Sequence, residues 1–230
     1  IFFLYLVYNT LIMKVILKSD KEKIREDILK SVSLNESIEI ESYTVTRDFL
    51  QEINEVLLIF LQACNKDKLM SCLAYSSSEL LGNADKANIK RLFCKENNLD
   101  IHNSIDYEAA MIDFKVEISS NLEHFRQLQE ENHLYIKYEL SCIDGVISLK
   151  VKNKAVLTEE EKARINRKIE RAKLYHSMQE AFMTIDQTEG SGLGIIIIIL
   201  MLKQMKLGAE CLRIESVGEE TISSIEIPVA

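Results

Sequence analysis

An α/β fold of the α+β kind, a two-layer sandwich with helices on one face of a mixed, mostly antiparallel sheet, is what this sequence predicts. Three observations carry the prediction. Two apolar runs, 134–143 and 146–153, are joined by Asp144-Gly145, the dipeptide that favours a tight two-residue hairpin turn. A second pair, 211–216 and 221–227, repeats the pattern around Gly218. Before and between them run long stretches with apolar residues every three or four positions, the mark of helices that bury one face. Hairpins and helices segregated in this way argue for a helical layer against an antiparallel sheet.

Taken in order, residues 20–32 (DKEKIREDILKSV) predict a short amphipathic helix with Asp20 as its N-cap. Residues 37–46 (SIEIESYTVT) alternate apolar and polar side chains and predict a strand. In 48–64, Phe49, Ile53, Val56, Leu57, Phe60 and Leu61 form a helical stripe. That stripe either pairs with a second subunit, giving a homodimer, or packs into its own core, and the second reading is preferred. A further helix is predicted over 66–88, through Leu69, Leu73, Leu80, Leu81 and Ala84, and the apolar run Ile89–Phe93 predicts a strand after it. Residues 96–133 are polar with weak helical periodicity and read as a helical excursion from the core. Residues 158–182 open with TEEE, an N-cap followed by acidic first-turn residues that complement the helix dipole.

The organisation predicted is an apolar segment 1–12, a helix–strand–helix part 13–65, and a main unit 66–230 carrying the insertion at about 96–133. The segment 1–12 is shorter than the roughly 20 residues of a membrane span and lacks a signal peptide's basic start. It reads as the end of a span or as sequence upstream of a start at Met13, the latter preferred. No membrane partner and a cytoplasmic location are expected. A net charge of −8 argues against a nucleic-acid binder, which would present a basic face. Five scattered cysteines without a CxxC pair predict free thiols. With 47% apolar residues, a core can form without metal or disulfide support.

Two segments carry chemistry. Three of the seven glycines, Gly190, Gly192 and Gly194, fall within five residues directly before the run Ile195–Leu202. A glycine-dense loop opening a helix lets backbone N–H groups approach an anion closely, although a flexible turn before a buried helix would look the same. Upstream, Glu79, Asn83 and Lys86 are spaced i, i+4, i+7 and share one helix face. A carboxylate, an amide and an ammonium on one stripe can serve a water, a divalent cation and a phosphate. They can equally be a solvated helix face.

Together the two segments resemble a known family. ELLGNADKAN (79–88) looks like the N box, and EGSGLGI (189–195) like the second glycine box, of the histidine-kinase-like ATPases, the Bergerat-fold (GHKL) superfamily. The order of elements over about 66–227 is similar too. The resemblance implies a Bergerat ATP-binding fold, ATP and Mg²⁺ as cofactors, and phosphoryl transfer to a separate protein, a phosphoacceptor or response-regulator-like partner, in bacterial signalling. It places Asn83 on Mg²⁺, Glu79 as general base or orienting group, Lys86 on phosphate, and Gly190, Gly192 and Gly194 along the lid hinge and phosphates.

The departure lies at the first glycine box, usually V-x-D-x-G-x-G. Here Asn153 stands for the aspartate that accepts from the adenine amino group, Ala155 for the first glycine and Leu157 for the second. An amide oxygen keeps the acceptor but not the charge, so Asn153→Asp is expected to tighten adenine binding. The altered box also admits a degenerate, non-catalytic nucleotide-sensing or docking module. None of His102, His124, His133 and His176 precedes the N box or sits in a phosphoacceptor motif. Residues 158–189 correspond to the ATP lid, made basic by Lys162, Arg164, Arg167, Lys168, Arg171 and Lys173, of which most are expected on a solvated face.

Overall fold

The structure, a computed structural model, describes residues 12–14, 21–184 and 193–229. Its centre is a six-stranded sheet built from β1 (Ile12–Lys14), β2 (Ser37–Ser42), β3 (Ile136–Ile143), β4 (Val146–Asn153), β5 (Leu212–Val217) and β6 (Glu220–Pro228), in the order β1-β2-β3-β4-β6-β5. Only β1 and β2 pair in parallel, across α1 (Lys21–Ser33); the other neighbours are antiparallel. The protein is therefore a mixed α/β structure, as predicted. Ile12 and Met13 are consecutive residues of β1.

Alternation decides which face is buried. Ile38 and Ile40 of β2, Tyr138 and Leu140 of β3, Leu149 of β4 and Ile225 of β6 are all buried on the inner face. The outer face carries cross-strand charges: Glu139 takes Lys152 at 2.7 Å and Lys150 at 3.8 Å, and Lys137 lies 3.7 Å from both Glu39 and Glu41. Both hairpin turns follow the predicted chemistry. Asp144 and Gly145 have φ of 51° and 72°, the two positive values a primed turn requires.

The helical layer comprises α2 (Arg47–Ala63), α3 (Met70–Glu96) and α8 (Leu193–Gln204) against the sheet, with α6 (Glu159–Leu174) packed on α8 and α7 (Met178–Thr184) after it. Thr46, not Asp48, begins α2: its Oγ1 accepts from the Phe49 N–H at 3.1 Å. The six-residue stripe of α2 is buried in the main core together with residues of the sheet and of α3 and α8. It is thus spent on packing within the chain, the preferred of its two readings. Helix α8 is apolar all round because it is wedged among other elements. Tyr138 ties sheet to helix, its hydroxyl 2.9 Å from Ser77 Oγ, which in turn donates to Leu73 O at 2.7 Å.

Two expectations are corrected. Ile89–Phe93 is not a strand but the continuation of α3, which runs 27 residues to Glu96. Ile89, Leu92 and Phe93 extend the helical spacing of Leu81 and Ala84, and neither glycine nor proline falls between Ala84 and Glu96. The excursion is two helices, α4 (Ser104–Ser120) and α5 (Leu122–Glu131), with their own small core on the C-terminal half of α3: Phe125, Ala110, Phe93 and Leu92. The stretch 158–182 likewise divides, into α6 and α7. The Asp20 cap lies outside the described residues. All five cysteines are free thiols, and no helix among the described residues is long and apolar enough to cross a membrane.

Candidate functional site

The length of α3 is what makes a site. Its inner face holds the core while the adjoining stripe, Glu79, Asn83 and Lys86, borders a cavity of about 580 Å³. The opposite walls are Gly194 and Ile195 at the start of α8, Asn153 at the end of β4, Thr221 and Ser223 on β6, Arg164 and Lys168 on α6, and Phe114 on α4. The residues singled out in the sequence, over a hundred positions apart, thus meet around one space. Gly190 and Gly192 lie outside the described residues.

At one end sits the Glu79 carboxylate. A Cβ on Gly194 would stand 2.6 Å from Glu79 Cδ and closer still to a carboxylate oxygen. Gly194 is the second residue of α8 and does not have a positive φ, so proximity to Glu79 is what demands glycine there. The Tyr75 hydroxyl, one turn before Glu79, is hydrogen-bonded to it. Burial and this carboxylate push Tyr75 up to about 12, so it remains a protonated donor. Asn83 and Lys86 are exposed to the cavity; neither has a side-chain hydrogen bond or salt bridge among the described residues.

At the other end Asn153 is 3% exposed. Its Nδ2 donates to Asn88 Oδ1 at 3.1 Å, and Asn88, fully buried, donates its own Nδ2 to Leu134 O at 2.9 Å. This relay fixes the Asn153 amide: NH₂ toward Asn88, Oδ1 without a donor among the described residues. Its cross-strand partner Thr221 donates Oγ1 to Ala155 O at 2.5 Å, and Leu157 N donates to Ser216 Oγ at 3.0 Å. The loop that lacks its two expected glycines is therefore held by side chains instead.

The segment expected as a lid is, over 159–174, a docked helix. Thr158 and Glu161 form a reciprocal capping box. Buried Glu161 also takes Lys90 at 2.7 Å and both terminal nitrogens of Arg91, at 3.0 and 2.5 Å. Burial alone would push the carboxyl up; the Arg91 and Lys90 pairs outweigh it and hold it at about 2. At the far end Lys203 of α8 donates to Ala172 O, Lys173 O and Tyr175 O at 3.0, 2.6 and 3.0 Å. Ile165, Ile169 and Ala172 pack into the main core. Lys162 and Lys173 pair with Glu159 and Glu170 on the solvated face, as expected, whereas Arg164 and Lys168 line the cavity.

Glu161 offers a stability test independent of any ligand. Removing one partner of a buried ion pair strands the others, so Glu161→Gln is expected to lose about 2–4 kcal/mol at pH 7. Because the folded carboxyl titrates at about 2 rather than the ordinary 4.5, its contribution is complete above pH 4.5 and disappears as pH falls toward 2. Thermal unfolding of both forms should show a gap that closes over that window; a gap unchanged with pH would mean that the charge is immaterial.

Sequence reasoning missed Asn88, Thr221, Glu161 and Phe114. The first three act through partners 65 to 71 positions away, which no local pattern announces. Glu161 alone left a trace, the T-x-x-E of its capping box.

No protein-family model matches the chain, and no solved structure matches it. An uncharacterized protein of Treponema pallidum (strain Nichols) is 35% identical over 210 residues. The match takes in 91% of this chain, which spans 40% of the length of that curated relative.

Proposed function

We propose that the cavity binds Mg²⁺-ATP and that the protein is a Bergerat-type ATP-binding domain of the histidine-kinase-like superfamily, transferring a phosphoryl group to a separate protein. One observation carries the reading: Glu79, Asn83 and Lys86 line one cavity together with Gly194, which lies against Glu79, and with Asn153, whose Nδ2 is held by Asn88. A triphosphate needs cations. Lys86, Arg164 and Lys168 supply them in a chain whose net charge is −8. A base with an exocyclic amine needs an acceptor in a partly apolar wall, and Asn153 lines the same cavity as Ile214 and Leu157.

The donor set fits magnesium of the nucleotide-borne kind. Among the described residues no three His, Cys, Asp or Glu gather into a metal site, so the amide of Asn83 would share the ion with phosphate oxygens and water. Bound there, Mg²⁺ supplies neutralisation of phosphate charge. The chain's own residues do the rest: Lys86 draws on the phosphates, Tyr75 orients Glu79, and Glu79 accepts a proton from, or aligns, the attacking group.

Calorimetric titration with ATP, with and without Mg²⁺, tests the reading. The wild type is expected to bind, Asn83→Ala to lose its Mg²⁺-dependent affinity by more than about tenfold, and Glu79→Ala to keep binding. Absence of heat and of any thermal shift at millimolar ATP would refute it. The substitutions at 153, 155 and 157 favour one second reading, a nucleotide sensor without turnover. Labelled γ-phosphate mixed with lysate separates the two, since only a kinase moves the label to another protein.

A further inference from the structure

One wall of the cavity belongs to none of the segments that suggested the site. It comes from the insertion, where Met111, Phe114 and Ile118 of α4 face α3 across the opening. Helix α4 is fixed there by several contacts. Asn103 caps it, its Oδ1 accepting from the N–H groups of Ile105 at 2.9 Å and Asp106 at 3.3 Å. Tyr107, 3% exposed, lies with its ring centre 5.2 Å from Lys90 Nζ and 5.6 Å from Arg164 Cζ, two cation–π contacts to helices on either side. Phe93 of α3 meets the Phe114 ring edge-on, centroids 5.5 Å apart at 86°.

Phe114 is also the one aromatic ring among the described residues lining the cavity, and it is half-buried, with part of its surface left to that space. A planar base in an apolar slot is held by two things, a hydrogen-bond partner at its edge and a ring against its face. Asn153 provides the edge contact. Resting on the nucleotide reading above, we propose that Phe114 stacks against the base, so that the insertion is a working wall of the nucleotide site and sets its preference for a nucleoside triphosphate over bare polyphosphate. The Phe93 contact fixes the plane of the ring, and Tyr107 couples the position of α4 to Arg164, a cation of the same cavity.

The chain contains no tryptophan, so Phe114→Trp introduces a single indole at the proposed stacking point. Its emission is expected to change on titration with Mg²⁺-ATP and to stay constant with Mg²⁺-tripolyphosphate. Phe114→Leu, which keeps apolar bulk against Phe93, is expected to weaken ATP binding about tenfold by calorimetry and to leave tripolyphosphate affinity unchanged. Equal weakening for both ligands would show a merely structural role and overturn the proposal. So would unchanged ATP affinity with a silent indole in a protein whose wild type binds ATP, and that outcome leaves the nucleotide reading standing. A wild type that binds no ATP sinks both.

Discussion

Gly194→Ala is expected to leave the fold intact while disabling the chemistry at Glu79. The three atoms the added methyl would approach most closely all belong to the half-buried Glu79 side chain, whose carboxylate can rotate away. Alanine is also the better helix residue, by about 1 kcal/mol, which offsets part of any strain. The thermal midpoint should therefore stay within a few degrees of the wild type. On the function proposed above, displacing Glu79 by an ångström or more is costly in rate: transfer of labelled γ-phosphate from Mg²⁺-ATP to protein should fall by about 10² or more, approaching the value for Glu79→Ala, with ATP affinity changed little. A double variant no worse than either single one would place both residues in one unit. If Gly194→Ala turned over at the wild-type rate, the contact with Glu79 would have no bearing on function.

The second large effect reverses an expectation drawn from sequence. The resemblance to the histidine-kinase-like ATPases implies that Asn153→Asp tightens adenine binding; the structure predicts harm. Asn88 presents its carbonyl oxygen to position 153 because its NH₂ is committed to Leu134 O. A carboxylate there would face that oxygen in a buried setting with no donor between them, a loss of about 2–4 kcal/mol of stability at pH 7. Turning the Asn88 amide over would only move the clash to Leu134 O. Protonation relieves it, since a neutral carboxyl can donate to Asn88 Oδ1. Burial and the facing oxygen raise the pKa of an aspartate at 153 above its unfolded value, so the deficit is smallest in acid and grows as pH rises through the folded value. Urea unfolding of both forms at acid and neutral pH measures this; a variant as stable as wild type at pH 7 would show that the amide relay is dispensable.

These two cases also mark how far the sequence was legible. The stripe Glu79–Asn83–Lys86 could be read because helix periodicity is local, and the hairpins because Asp-Gly and Gly218 announce their own turns. Ile89–Phe93 was misread because a five-residue apolar run fits a strand or a buried helix equally, and only the packing of α4 and α5 on it shows which. Asn153 was located correctly on its strand, yet what its amide does depends on Asn88, 65 residues earlier. The docking of α6 was equally out of reach, since Lys203 finds its three carbonyls about thirty residues back.

That docking has a mechanical consequence. Helix α6 is a strut pinned at both ends, and the pins differ in kind. At Lys203 the acceptors are backbone carbonyls, which have no proton to gain; at Glu161 the pin is a carboxylate that lets go in acid. One end is a hinge and the other a latch. Whatever swings α6 away from the cavity works the latch at the Lys90 and Arg91 end, next to Asn88 and the Asn153 it holds, and pivots about Lys203.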